Sequence, residues 1–537
     1  MPVSSGNNYR VHAQSIVVAV FALAWLALDG LVIPPDFGHT DIYYFKDAGI
    51  NFAEGLGLTT RFTYGNPTFL YKDFATYPPI YPLAFGIYAK FCGVSAVSNQ
   101  FFNALIAVIL GLLGYWTLRP LISVSAIGMG KRQLTLLAVF SIATGFYMPA
   151  YDRPDGMGVI FGMAALGLAM RGTRSRTAIA AGALWALTLF TSPFAGIWTV
   201  LALTIGVMAA TPGLAPKQWL TRLLCVGLGA GGTTLMMLGA LRIALPGWFE
   251  GFWGVASGSH THNETGGGYF IALLHGDWRL WRSGFAYSSL GSFVPLLRIG
   301  SVLAALAVVI LMNIRSSAGP GRTWSLLLLV LVSPLCLITS PYQSHYPAIT
   351  AALLIAAWAG IEAATASKAT RSAAMAILAV FAFNVLLSAS LETQRALIRF
   401  NAHESMKRAV AFLVSHRNLF EGSGRYTAVS PINYILWRQA GLHPLINIYS
   451  GLKVPEDRAR VDFFALAYPG SGDLLHPQAV EWMNSEEYAV LFQPELPQLA
   501  TLLKSRISKS SQTWESAIYA RRERGRLSSE FDELQRK

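Results

Sequence analysis

The sequence predicts an all-α polytopic membrane bundle of about 11 transmembrane helices followed by a C-terminal soluble α/β domain. Three observations predict it. Of the 537 residues, 53% are hydrophobic and 13% charged, with a mean hydropathy of +0.44, more apolar surface than one soluble core can hide. Apolar runs of spanning length recur up to residue 390. Beyond Leu391 charges become frequent and the runs shorten.

The runs fall near 14–34, 96–118, 133–149, 156–170, 177–190, 194–210, 220–241, 294–314, 323–339, 347–366 and 372–390. The first is too long for a signal h-region and lacks a small-x-small cleavage site, so it reads as an uncleaved span. Basic residues collect in alternate short loops: Arg119, Lys131 and Arg132, then Arg171, Arg174 and Arg176, then Lys217 and Arg222, and later Arg315, Arg322, Lys368 and Arg371. That side is cytoplasmic by the positive-inside rule. The N-terminus is then inside and the C-terminal domain extracytoplasmic, in a multi-pass plasma (inner) membrane protein. The chain divides at 394/395, and its long outer loops are 35–95 and 242–293.

The formal charge of +13 is spread over these loops and the C-terminus rather than gathered in one patch, which argues for orientation in an anionic membrane and against nucleic acid. Cys92, Cys225 and Cys336 lie far apart within apolar segments and form neither a CxxC motif nor a disulfide framework. No internal repeat and no pair of broken helices of the transporter kind is visible.

In the C-terminal domain, apolar stretches at 425–429, 445–449 and 488–492 read as strands, and 403–417, 432–440 and 456–467 as helices. The basic run Arg521, Arg522, Arg524 and Arg526 reads as a solvated end. No glycine loop here could cradle a phosphate, and no chemistry is expected of this domain.

Chemistry is expected in the outer loops. The first carries Asp36, His39, Asp41, Tyr43, Tyr44, Lys46 and Asp47, a helical stretch to Glu54-Gly55-Leu56-Gly57, and then Lys72 and Tyr77-Pro78-Pro79-Ile80-Tyr81-Pro82. A carboxylate just past a membrane helix, among tyrosines at headgroup level, is where a general base would meet an acceptor hydroxyl and a lipid phosphate. Asp41 is the candidate base, with solvated acidic residues as the plain alternative. Asp29 lies inside the first span, where a carboxylate is functional or paired. The loop 242–293 holds His260, His262 and Glu264, which can ligate a divalent ion, but its glycines Gly266, Gly267 and Gly268 equally suit a mobile loop that closes over substrate. Trp248, Trp253, Trp278 and Trp281 are interfacial anchors or stacking surfaces for a sugar or prenyl chain.

Asp41-Ile42-Tyr43-Tyr44, Asn51-Phe52-Ala53-Glu54-Gly55-Leu56-Gly57, Tyr77-Pro78-Pro79-Ile80-Tyr81-Pro82, Arg153-Pro154-Asp155 and Tyr342-Gln343-Ser344-His345-Tyr346-Pro347 together resemble the GT-C glycosyltransferases. Within them the likeness is to the bacterial branch related to protein O-mannosyltransferases and the lipid A aminoarabinose transferase. The resemblance implies a sugar donor carried on a polyprenyl phosphate, a glycan or lipid acceptor outside the membrane, and inverting transfer. It implies Asp41 as the base and Asp155 as an assisting or metal-binding carboxylate, with Arg153, Lys72 and His345 against the departing phosphate and Tyr44, Tyr77 and Tyr346 as substrate contacts. A divalent ion would sit between Asp155 and His262 and Glu264. One departure counts against the ion: the acidic residue which that branch carries just before Pro-Pro is Tyr77 here. Arg153 has a plain alternative as an ion-pair partner of Asp152 or Asp155. A membrane transporter or lipid flippase is the competing reading, and would place ionisable residues deep in several spans.

Overall fold

In the computed structural model, the described residues are 41–63, 66–75, 77–123, 153–171, 174–193, 196, 216–256, 372, 407–421, 426–429, 431–446, 460–467, 488–492 and 516–521. They belong to two compact units. The first comprises 1–33, 103–246 and 262–391, and the second 34–102, 247–261 and 392–537. The second unit therefore joins the first outer loop to the C-terminal segment, across the division at 394/395 expected from composition.

In the second unit, helix α1 (Asp41–Ala53) is followed by a hairpin of β1 (Thr59–Thr63) and β2 (Asn66–Asp73), and then by α2 (Ile80–Cys92). α1 stops where Gly55 takes a positive φ of 86° and the Leu56 N–H reaches back to the Asn51 carbonyl at 2.9 Å, a closure that needs a residue without Cβ. The sequence predicts no more than a loop where this hairpin lies. Its register is irregular: Thr60 pairs with Lys72 but Phe62 with Pro67, so residues 68–71 of β2 stand opposite Arg61 and break the period-two pattern that would announce it. α1 and α2 cross at Gly49 and Gly86, where an added Cβ would stand 2.4 Å from the Pro82 carbonyl and 2.6 Å from the Gly49 carbonyl, respectively. α7 (Trp248–Ala256) belongs to this unit and packs Gly251 against Ala75.

The rest of this unit is a mixed sheet of β3 (Tyr426–Val429), β4 (Leu445–Ile446), β5 (Val461–Ala467), β6 (Tyr488–Phe492) and β7 (Ser516–Arg521), in the order β4-β3-β5-β7-β6. β4 and β5 pair parallel with β3, while β7 pairs antiparallel with β5 and β6. Helix α8 (Pro431–Gln439) links the parallel neighbours β3 and β4, as a crossover must. Its Trp437 and the Phe463 of β5 sandwich Phe420 at centroid distances of 4.9 and 4.8 Å. The stretch 456–467, expected as a helix, instead supplies the central strand β5. Val461-Asp462-Phe463-Phe464-Ala465-Leu466-Ala467 is a near-continuous apolar run, and in such a run periodicity does not separate a buried strand from a helix.

In the first unit, α3 (Ala96–Ser123) enters from the second unit and is followed by α4 (Pro154–Arg171), α5 (Ser175–Leu189) and α6 (Pro216–Ala244). The expected spans at 96–118, 156–170, 177–190 and 220–241 fall on these four helices. The others, apart from Gly196 and Ser372, lie outside the described residues. Ala165, Ala169 and Ala181 form the seam of α4 and α5, with Trp219 and Val226 of α6 packed on it. α6 is about 43 Å long at about 1.5 Å per residue, enough to cross a hydrocarbon layer of about 30 Å. Its Leu220, Leu224, Leu228, Leu235, Met236 and Ile243 face outward, which suits a helix whose solvent is lipid.

Candidate functional site

The Arg153-Pro154-Asp155 motif opens α4. Proline takes the first helical position, where its missing N–H costs nothing, and Asp155 lies in the first turn, where the helix dipole favours a carboxylate. Both charged side chains are buried, Arg153 at 1% and Asp155 at 3% exposure. The Arg153 Nε donates to Asp155 Oδ2 at 3.1 Å, and the Ser192 Oγ donates to Asp155 Oδ1 at 2.5 Å. Ser192 comes from the turn that ends α5, held there by its own N–H on the Thr188 carbonyl at 2.7 Å. Of the two partners considered for Arg153, Asp155 is met at 3.1 Å, and Asp152 lies outside the described residues. The part of Ser192 in this cluster depends on α5 packing against α4.

A divalent ion on Asp155 would meet a carboxylate that already accepts from two donors. One carboxylate oxygen faces a guanidinium and the other a hydroxyl donor, so a cation would be set beside the charge of Arg153. Among the described residues, no group of three or more His, Cys, Asp or Glu could hold a metal. His262 and Glu264, and likewise His345 and Tyr346, lie outside the described residues.

In the second unit, Asp41 is the first residue of α1 and Tyr44 lies within that helix. One turn past Asp41, the ring of Phe45 packs on Tyr77 at 4.7 Å, which places the Tyr77-Pro78-Pro79 turn beside the opening of α1. Trp248 Nε1 donates to the Tyr77 carbonyl at 3.0 Å and stacks on Phe252 at 4.8 Å. Trp248 thus braces the Tyr77 turn. Lys72 is exposed on β2, paired across the hairpin with Thr60.

The opposite stripe of α1 carries a buried polar network that the sequence reading did not single out. Asp47 accepts from Thr60 Oγ1 at 2.6 Å, from Asn51 Nδ2 at 3.3 Å, from the Tyr434 hydroxyl, and from Arg438 Nη1 at 3.5 Å. Arg438 Nη2 donates to Glu54 Oε2 at 2.5 Å. Tyr434 and Arg438, one turn apart on α8, are 0% and 3% exposed. At the rim, the Tyr71 hydroxyl meets His443 Nδ1 at 3.0 Å, while Arg61 donates to the His443 carbonyl at 3.1 Å and lies 4.4 Å from the centre of the Tyr71 ring. Burial and then the cations Arg438 and Arg61 push the His443 imidazole down to about 4. Burial pushes the Glu54 carboxyl up, against the pull of Arg438. On another face of α1 the fully buried Lys46 donates to Asn99 Oδ1 and lies 5.1 Å from the centre of the Phe85 ring. The spacing of Asp47, Asn51 and Glu54 marks a polar stripe in the sequence. Its partner, Arg438, is not readable there.

No protein-family model and no curated protein matches the sequence. Among solved structures, the chain is similar to the oligosaccharyltransferase of Archaeoglobus fulgidus in its apo form, with 12% identity, 83% of this chain and 69% of that one covered, and a TM-score of 0.47. It is similar to the mycobacterial arabinofuranosyltransferase AftD, with 14% identity over 94% of this chain but 39% of that one, at a TM-score of 0.47. It is also similar to ArnT from Cupriavidus metallidurans, solved with bound undecaprenyl phosphate, with 13% identity, 96% and 98% covered and a TM-score of 0.44. These neighbours are members of the GT-C superfamily.

Proposed function

We propose that the chain is a membrane glycosyltransferase that moves a sugar from a polyprenyl-phosphate donor to a glycan or lipid acceptor on the extracytoplasmic side, with inversion. The observation that carries the reading is the buried Arg153–Asp155–Ser192 cluster at the head of α4. In it one of the resembling motifs has a held arginine at a helix N-terminus, and those are two features that suit an anionic phosphate.

In this reading Asp41 accepts the acceptor's hydroxyl proton as that oxygen attacks the anomeric carbon from the face opposite the phosphate. The new C–O bond forms while the bond from the anomeric carbon to the phosphate oxygen breaks, and the bonding pair leaves with the polyprenyl phosphate. That departing group gains negative charge, which Arg153, Lys72 and His345 are proposed to offset. Asp155 holds Arg153 in place. Tyr44, Tyr77 and Tyr346 are proposed to contact the substrates.

The test offers purified protein a panel of radiolabelled polyprenyl-phosphate sugars, with Asp41→Asn as the blank. Transfer of one label by wild type and its loss in the variant supports the reading. Wild-type turnover in Asp41→Asn removes the base assignment, and no transfer with any donor, together with lipid translocation in vesicles, favours the flippase.

A further inference from the structure

The C-terminal segment carries no residue that the proposed reaction uses, yet its helix α8 sends two buried side chains into α1. Arg438 spans Asp47 on α1 and Glu54 just past its end, at 3.5 and 2.5 Å. Tyr434 donates to the same Asp47 and accepts from Arg438 Nη1 at 2.8 Å. A planar guanidinium offers a separate nitrogen to each carboxylate in a fixed fork, where an ammonium has one nitrogen to share between them. The rest of the helix is pinned as well, by Lys46 on Asn99 and by the Gly49–Gly86 crossing with α2. A solvated tail would not sink an arginine to 3% exposure to achieve this.

We propose that Arg438 is a positioning residue for the transfer: through Asp47 and Glu54 it fixes the axial placement of α1, the helix that opens with Asp41. This rests on the reading of Asp41 as the base. Proton acceptance requires the carboxylate within hydrogen-bond reach of the attacking hydroxyl, and a displacement of about 1 Å can cost about a hundredfold in rate. The C-terminal segment thereby acts on turnover without touching substrate.

The experiment compares full-length wild type, Arg438→Lys, Arg438→Met and Tyr434→Phe, in detergent, by amide hydrogen exchange and by steady-state transfer of the donor sugar. In Arg438→Lys, amides of residues 41–53 should exchange faster while those of β5 and β7 keep their rates. Its kcat should fall about tenfold or more with KM for the lipid-linked donor within about twofold. Arg438→Met should be worse and Tyr434→Phe milder. If Arg438→Met does not fold, Arg438→Lys and Tyr434→Phe decide the matter. Unchanged α1 exchange and unchanged kcat in Arg438→Lys overturns the proposal. So does loss of protection spread evenly over the sheet, which marks a merely structural residue. Exchange is read without substrate, so inactivity of wild type counts against the proposed function and leaves the exchange result to judge the clamp.

Discussion

Arg438 Nη2 and Glu54 Oε2 meet at 2.5 Å although 384 residues separate them in the chain. The pair joins a loop next to the first apolar run to a helix of the C-terminal segment, and Asp47 and Tyr434 complete it from both sides.

Removing Asp47 takes away one of the two carboxylates that pair with the buried Arg438 and leaves it Glu54 alone of the two. Asp47→Ala is expected to cost about 3 kcal/mol, within the range for one partner of a buried pair. Asp47→Asn should cost less, because the amide oxygen still accepts from the Tyr434 hydroxyl, although Thr60 donates to the other carboxylate oxygen. Denaturant or thermal unfolding of the purified protein measures both, and equal, negligible shifts would show that the network contributes nothing.

Arg153 and Ser192 both hold Asp155, and their loss should differ in kind. Ser192→Ala removes one donor to a buried carboxylate and should cost about 1–3 kcal/mol of stability. Arg153→Gln removes the cation and is expected to lower kcat for transfer by at least about a hundredfold, as loss of a charge-stabilising donor does. An Arg153→Gln enzyme that turns over like wild type would reduce the motif to an ion pair.

His443 gives the second unit an acid-sensitive contact. Its folded-state value, about 4, lies below the ordinary 6.5, so folding favours the neutral ring. The stability this contributes is complete above about pH 6.5 and is lost as pH falls toward 4. Glu54 acts in the opposite sense, its raised value favouring the protonated form. The wild-type melting temperature minus that of His443→Gln should therefore shrink on acidification from pH 7 to 4.5. A difference independent of pH would contradict the assignment.

Close approach of α5 and α6 depends on two glycines. An added Cβ at Gly182 would stand 2.0 Å from the Val226 carbonyl, and one at Gly229 would stand 2.0 Å from the Ile179 carbonyl. Gly182→Val should separate the helices at about 1–3 kcal/mol. Gly231→Ala, where an added Cβ meets open space, should be neutral or mildly stabilising. A similar melting shift in both variants would mean the close contact does not matter.

Much of this protein was legible from composition and local pattern alone. The apolar run at 220–241 predicts α6, because crossing a bilayer demands length and hydrophobicity that no tertiary partner has to supply. Pro154 followed by Asp155 announces the head of α4, since capping depends only on neighbours in sequence. Asp41, Tyr77 and Arg153 could be singled out because their residue types at turns next to apolar runs are chemically unusual. Tertiary structure alone decided the partners: Ser192 on Asp155, Trp248 on the Tyr77 turn, and Tyr434 and Arg438 on Asp47. It also decided that Val461–Ala467 is a central strand and that residues 34–102 belong with the C-terminal segment. The physical reason is the same in each case. Helix length, hydropathy and caps are set by energies that act within a few residues, whereas a buried charge is satisfied by whichever group the folded chain brings to it, from any distance along the sequence.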